Sequence, residues 1–165
     1  MRGQDPVPDE LYQAEPLRAR EAEGVYPLVS LMHPEMTLEA WRQFVRRATR
    51  VPRSCGGLVA IRDPRGYVHA VFAYRSGETL QSGRALRITD IVMGRLPGGT
   101  LPRALIACAE RLADELGSPC VTLDVLEDAV GAADRESLRE AGFTPSGLVM
   151  TRRLDRHPEA AVLVH

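Results

Sequence analysis

The sequence predicts a mixed β-sheet with helices on both faces, an α/β arrangement whose first half is antiparallel. Three observations carry this. Two apolar runs flank the turn Asp63-Pro64-Arg65-Gly66, a hairpin signal. A β-branched strand, Leu86–Val92, passes through the Gly-rich stretch Gly94–Gly99 into a helix over Leu101–Leu116. A further apolar strand, Cys120–Leu126, follows that helix, so the two strands around it can lie parallel as a right-handed crossover.

Residues 1–15 are polar and Pro-containing and read as a loose arm. Pro16–Ala22 offers a first strand with Leu17, Ala19 and Glu21 on one side. Val25–Met32 reads as a short apolar helix stopped at His33-Pro34. Thr37 is placed to cap a clearer helix, with Leu38, Trp41, Phe44, Val45 and Ala48 as its apolar stripe. Arg42, Arg46, Arg47 and Arg50 decorate the rest of that helix. Gly57–Arg62 and Tyr67–Arg75 are the hairpin strands, and Leu86–Met93 continues the meander. The next helix carries Leu101, Leu105, Cys108, Leu112 and Leu116 at helical spacing and stops at Gly117. After Cys120–Leu126 come a short helix over Ala133–Ala141, closed by Gly142, and a last strand over Leu148–Leu154. In the tail, Ala161–Val164 is ambiguous and offers an edge strand. The order is β-α-α-β-β-β-α-β-α-β, with an arm at 1–15, one domain at 16–154 and a tail at 155–165.

Composition narrows the function classes. A chain of 165 residues can bury one full core, and 44% hydrophobic with 26% charged residues is ordinary for a soluble globular protein. A net charge of −1 gives no electrostatic case for nucleic acid or an anionic membrane. All 21 basic residues are arginine, so lysine nucleophiles, lysine Schiff bases and a P-loop lysine are excluded. No G-x-G-x-x-G follows an early strand, which argues against a dinucleotide fold. Cys55, Cys108 and Cys120 lack zinc-ligand spacing, and Cys108 and Cys120 read as small hydrophobes, so no metal is expected. The opening MRGQDPVPDE has no apolar core, and no apolar run reaches the roughly 18 residues of a membrane span. A reduced, cytoplasmic protein is the expectation. A homodimer is left open.

The segment ITDIVMGRLPGGTLPRALI, Ile88–Ile106, and the segment LDVLEDAVGAADRESLREAGF, Leu123–Phe143, resemble the GCN5-related N-acetyltransferase superfamily. The resemblance covers about residues 16–154. In the first segment, Asp90-Ile91-Val92-Met93 matches the family's strand end and Leu105-Ile106 its helix start. Between them the family has a pyrophosphate loop of the form Arg/Gln-Gly-X-Gly/Ala-X-Gly/Ala. Here Gly98 takes the Arg/Gln place, Gly99 the first small position, and Leu101 and Arg103 the other two. In the second segment, Gly142-Phe143 matches the closing Gly-Phe, while Leu138 stands where many members carry a tyrosine that protonates the departing thiolate.

The resemblance implies a central mixed sheet whose two parallel strands splay to admit the pantetheine arm of acetyl-CoA. It implies an acetyl-CoA-dependent N-acetyltransferase acting on a primary amine of a small molecule or peptide. The alternative is a catalytically degenerate module of the same fold that binds a ligand or a protein. The cofactor set it implies is the backbone N–H of Val92 or Met93 as polariser of the thioester, with Arg95, Gly98, Gly99, Thr100 and Arg103 around the pyrophosphate. Asp90, in phase with Ile88 and Val92 on the central strand, is the first candidate base, where apolar neighbours would raise a carboxylate pKa. Glu78, in the loop after YVHAVFAYR, is the second. A structural role stays open for Asp90, and His69 and Asp124 read as structural.

Overall fold

A computed structural model describes residues 12–94, 100–125, 132–147 and 150–151. Its elements are β1 (Gln13–Pro16), α1 (Ala22–Met32), α2 (Leu38–Ala48), β2 (Gly56–Arg62), β3 (Val68–Thr79), β4 (Gly83–Met93), α3 (Thr100–Glu115), β5 (Cys120–Leu123) and α4 (Ala132–Glu140). The five strands form one sheet in the order β1-β2-β3-β4-β5. Pairing is antiparallel from β1 to β4 and parallel between β4 and β5, with α3 as the crossover.

The strands alternate their burial between two cores. Val59, Ile61, Phe72, Tyr74, Leu86 and Ile88 meet Leu101, Leu105 and Leu112 of α3 on one face. Leu58, Ala60, Val71, Ala73 and Val92 meet Val25 and Val29 of α1 and Trp41 and Val45 of α2 on the other. A strand buried on both faces needs apolar residues at both parities, and LVAI at 58–61 and AVFAY at 70–74 supply them.

Local chemistry sets the element ends. The Thr37 hydroxyl accepts from the Ala40 N–H at 3.2 Å and caps α2 as the sequence implies. The Trp41 indole N–H donates to the Ala22 carbonyl at 2.7 Å, locking α2 to the start of α1. The carbonyl of Asp63 accepts from Gly66 N–H at 2.9 Å in the hairpin turn, where Gly66 has φ 85°. At the end of α3, Gly117 sits at φ 63°, with its N–H on Asp114 O and the Ser118 N–H on Ala113 O. Gly142 and Phe143 close α4 in the same way on Arg139 and Leu138.

Four sequence expectations need correction. The first strand is Gln13–Pro16 rather than Pro16–Ala22, with its first three residues inside the stretch read as an arm. Beyond it the Arg18 N–H donates to the Glu21 carboxylate at 2.9 Å, and Ala19–Glu21 winds into a 3-10 turn instead of extending. Helix α1 begins three residues earlier than Val25, because Ala22 is buried and lengthens the stripe of Val25 and Val29. Strand β5 ends at Leu123, with Asp124 and Val125 outside the ladder. Of the last strand expected at Leu148–Leu154, Met150 and Thr151 are not in a strand, and the rest lies outside the described residues with the tail.

Phe72 is fully buried at the centre of the α3-side core. Phe72→Ala is expected to cost about 3–5 kcal/mol, and Thr37→Ala about 1 kcal/mol, in urea unfolding.

Candidate functional site

Strand β4 changes step near its end. Ala73 pairs with Thr89 and Val71 with Val92, so β4 advances three residues while β3 advances two. Asp90 sits in this bulge at φ 48°, the one non-glycine residue with positive φ among the described residues. Aspartate tolerates that conformation better than most residues because its short side chain can bond locally, and here Thr89 Oγ1 donates to Asp90 Oδ2 at 2.9 Å.

The bulge turns the strand over. Ile88 faces α3, yet Val92 faces α1 and α2, and Ile91 and Met93 pack against the α3 side. The phase that places Asp90 with Ile88 and Val92 is therefore broken, and Asp90 is exposed rather than set among apolar neighbours.

Just before the bulge, β4 loses its parallel partner. Pairing with β5 runs from Ala85–Cys120 to Ile88–Leu123, and the Asp124 N–H then donates to the Ile88 carbonyl at 2.9 Å. β4 continues through Thr89–Met93 with no pairing strand on that side among the described residues. The Gly94 N–H donates to the His69 carbonyl at 2.9 Å, so Gly94 faces β3. Alternation then turns Val92 toward β3 as well, and the Met93 and Ile91 N–H groups toward the open edge. Of the two polarisers the sequence offered, Met93 is the one whose N–H faces that edge.

The remaining site residues fall as follows. Glu78 is exposed and lies opposite Arg84 in the β3–β4 ladder rather than in a loop. Arg84 is six residues from Asp90 along β4, roughly 20 Å, so the two candidate bases do not share a site. Arg95, Gly98 and Gly99 lie outside the described residues, and Thr100 opens α3. Leu101 is buried in the core beneath α3, so its side chain points away from the loop position it occupies in the family pattern. Arg103 is exposed and lies 3.5 Å from Glu140 of α4.

Two side-chain pairs lie on the sheet, one at the β2–β3 hairpin and one across the β4–β5 ladder. Asp63 Oδ2 accepts from His69 Nε2 at 3.0 Å, and Oδ1 accepts the Arg65 and Tyr67 N–H groups. The His69 hydrogen bond chiefly, helped by those amides, holds the Asp63 carboxyl below its ordinary 3.8. Tyr12 packs edge-on against the His69 ring at 5.7 Å. Across the β4–β5 ladder, Arg87 meets Asp124, and that hydrogen bond and charge push the guanidinium pKa up. A groove of about 420 Å³ lies elsewhere, between β1 and α3. There Tyr74 donates to the Arg53 carbonyl at 2.9 Å, and burial raises its phenol pKa. Among the described residues, no group of three His, Cys, Asp or Glu side chains could hold a metal ion, and no helix is long and apolar enough to cross a membrane.

No protein-family model matches the chain, and no curated protein matches its sequence. Solved structures do match its shape. A ribosomal-protein-alanine N-acetyltransferase from Brucella melitensis biovar Abortus 2308 superposes with a TM-score of 0.67 at 16% identity, over 87% of this chain and 99% of that one. An aminoglycoside N-acetyltransferase in complex with CoA gives 0.66 at 12% identity, over 88% and 95%. A GNAT family acetyltransferase from Staphylococcus aureus subsp. aureus USA300_TCH1516 gives 0.65 at 12% identity, over 87% and 99%. The chain has the fold of the GCN5-related N-acetyltransferases.

Because the folded Asp63 carboxyl is more acidic than the unfolded one, its contribution to stability is complete above the ordinary 3.8 and is lost as pH falls through the lower folded value. Urea unfolding across pH 7 to 2 should show that loss in the wild type. Asp63→Asn should be less stable at pH 7 and flatter in the acid range.

Proposed function

We propose that this protein is an acetyl-CoA-dependent N-acetyltransferase acting on a primary amine of a small molecule or peptide. One observation carries the reading: β4 leaves β5 after Ile88 and runs on, bulged at Asp90, with no strand paired on that edge among the described residues. The residues present fit an acyl-CoA. An open strand edge with outward N–H donors suits an arm that contains amide groups, as a partner strand would. Bound there, acetyl-CoA supplies an activated acetyl group as a thioester.

The chain's own residues then have separable tasks. The Met93 N–H is the donor assigned to the thioester oxygen, where a fixed dipole is most effective. The backbone around Gly98 and Gly99, with Arg95 and Thr100, is assigned to the pyrophosphate. Arg103, already beside Glu140, would have to exchange partners to join them. Asp90 is assigned as the base. Its exposure lets an amine or a bridging water reach the carboxylate, and the bulge aims it differently from a regular strand position.

The second reading, a binding module of this fold, is favoured by Leu138 at the position of the family's acidic tyrosine. Calorimetric titration with acetyl-CoA, paired with turnover on an amine panel, separates the two. Binding with turnover supports the enzyme. Binding without turnover supports the module, and no binding at millimolar acetyl-CoA removes both cofactor-based readings.

Asp90→Asn keeps the shape and tolerates the positive φ, so the protein should stay folded. Turnover at neutral pH should fall about 10²–10⁴-fold, with partial recovery at high pH as free amine accumulates. Full activity in the variant would move the base elsewhere, with Glu78 the next to test.

Gly99→Val should raise the acetyl-CoA dissociation constant at least about tenfold, because a branched side chain would keep the backbone from the pyrophosphate. Unchanged affinity in calorimetry would remove the loop from the site.

A further inference from the structure

Successive side chains of a regular strand point to opposite faces of the sheet, so adjacent side chains do not meet. Thr89 and Asp90 do meet: the Thr89 hydroxyl donates to Asp90 Oδ2 at 2.9 Å. The bulge makes this possible. Asp90 stands at φ 48°, and that left-handed step swings its carboxylate round to the side of its predecessor. Thr89 itself is still in register, opposite Ala73. Ala73 belongs to the core under α1 and α2, so the ladder sets Thr89 on that face. A β-branched side chain has few χ1 choices, so a strand that fixes the Thr89 backbone also fixes where its hydroxyl can stand. Thr89 is half-buried, whereas Asp90 is exposed. The better-anchored residue of the pair is the donor.

One hydrogen bond occupies one oxygen of a two-oxygen group. Oδ2 is taken, and among the described residues Asp90 Oδ1 has no hydrogen-bond or ion-pair partner. An exposed carboxylate with no tether turns about χ1 and χ2 through several orientations, few of which suit proton transfer. Here one oxygen is held and the other is left open. We infer that Thr89 is a positioning residue of the reaction: its hydroxyl holds Asp90 Oδ2 so that Oδ1 meets the amine. The assignment rests on Asp90 as the base of the proposed reaction. The proton leaves the amine nitrogen for Oδ1, directly or through one water, and the nitrogen keeps the electron pair that bonds the acetyl carbon. Thr89 touches neither reacting group and acts through Asp90 alone.

The test is a double-mutant cycle on turnover with acetyl-CoA and whichever amine of the panel reacts fastest. Its members are the wild type, Thr89→Val, Asp90→Asn and the two changes together. Valine keeps the branched shape and removes the hydroxyl, and the exposed carboxylate can turn to water for the bond it loses. Thr89→Ala stands in if the valine variant fails to fold, and circular dichroism checks each protein. Thr89→Val should lower kcat about tenfold, the scale of one hydrogen bond to a charged group, with the acetyl-CoA dissociation constant from calorimetry unchanged. In the Asp90→Asn background the same change should have no further effect, because no base is left to aim. A Thr89 that merely holds the bulge would cost as much in both backgrounds. Thr89→Ser should return kcat to within about threefold of the wild type, since it restores the hydroxyl without the branch that stiffens it. An unchanged or raised kcat in Thr89→Val, an equal loss in both backgrounds, or no recovery with serine overturns the inference while Asp90 stands as the base. Full activity in Asp90→Asn, or no turnover of any amine by the wild type, overturns the reading beneath it, and this inference with it.

Discussion

A strand that gains one residue over its neighbour must exchange its two faces, and β4 does so at Asp90. Upstream, Leu86 and Ile88 serve the α3-side core; downstream, Val92 serves the opposite core and Met93 the α3 side. The same step settles which amides face the open edge. Without it, Gly94 could not give its N–H to His69 while Ile88 gives its carbonyl to Asp124 on the other side of the strand. Six residues separate these two, an even number that would leave a regular strand with both on one side. The bulge makes the two pairings compatible, and it leaves an acidic side chain exposed at the turning point.

The crossover helix sets how far the slot can persist. Leu101, Leu105 and Leu112 bury α3 against β2, β3 and β4, while β5 contributes only the half-buried Val121 and Leu123 to that core. The antiparallel part of the sheet is thus the rigid wall, and β5 is held by a short ladder and its end contacts. This asymmetry is compatible with the proposed acyl-CoA ligand. One wall presents fixed amides, and the other can adjust by small movements at low cost.

Much of this was legible in the sequence because patterning and turn chemistry agreed. The Asp63–Gly66 hairpin, the Thr37-capped helix, the strand–helix–strand crossover and the Gly117 stop each combine a periodicity with a residue that ends it. The bulge was not legible, since a strict two-residue period assigns Asp90 to the buried face. The available signal was the aspartate itself, a residue depleted in strands and tolerant of positive φ. β1 was misplaced because Leu17 is buried as a strand residue would be, yet Ala19 is exposed in a 3-10 turn. Leu101 takes a small-residue position of the aligned loop, and only the packing of α3 reveals that its side chain belongs to the core. The His69–Asp63 and Arg87–Asp124 pairs join residues 6 and 37 positions apart, and only folded register brings the second together.

The absence of a tyrosine at Leu138 weighs less on the proposed reaction than the fate of the amine proton. An alkyl amine with a pKa of about 10.4 needs roughly 4.6 kcal/mol to lose its proton at pH 7. A thiol of pKa about 8.5 is stable enough as a thiolate that leaving unprotonated costs only about 2 kcal/mol against the same reference. The larger demand therefore falls on the acceptor side of the slot. The Leu138 carbonyl accepts the Phe143 N–H where α4 closes, a structural duty that any residue's backbone could perform. In the proposed reaction that demand falls to the exposed carboxylate of Asp90, in the bulge, with the amide of Met93 three residues further along β4.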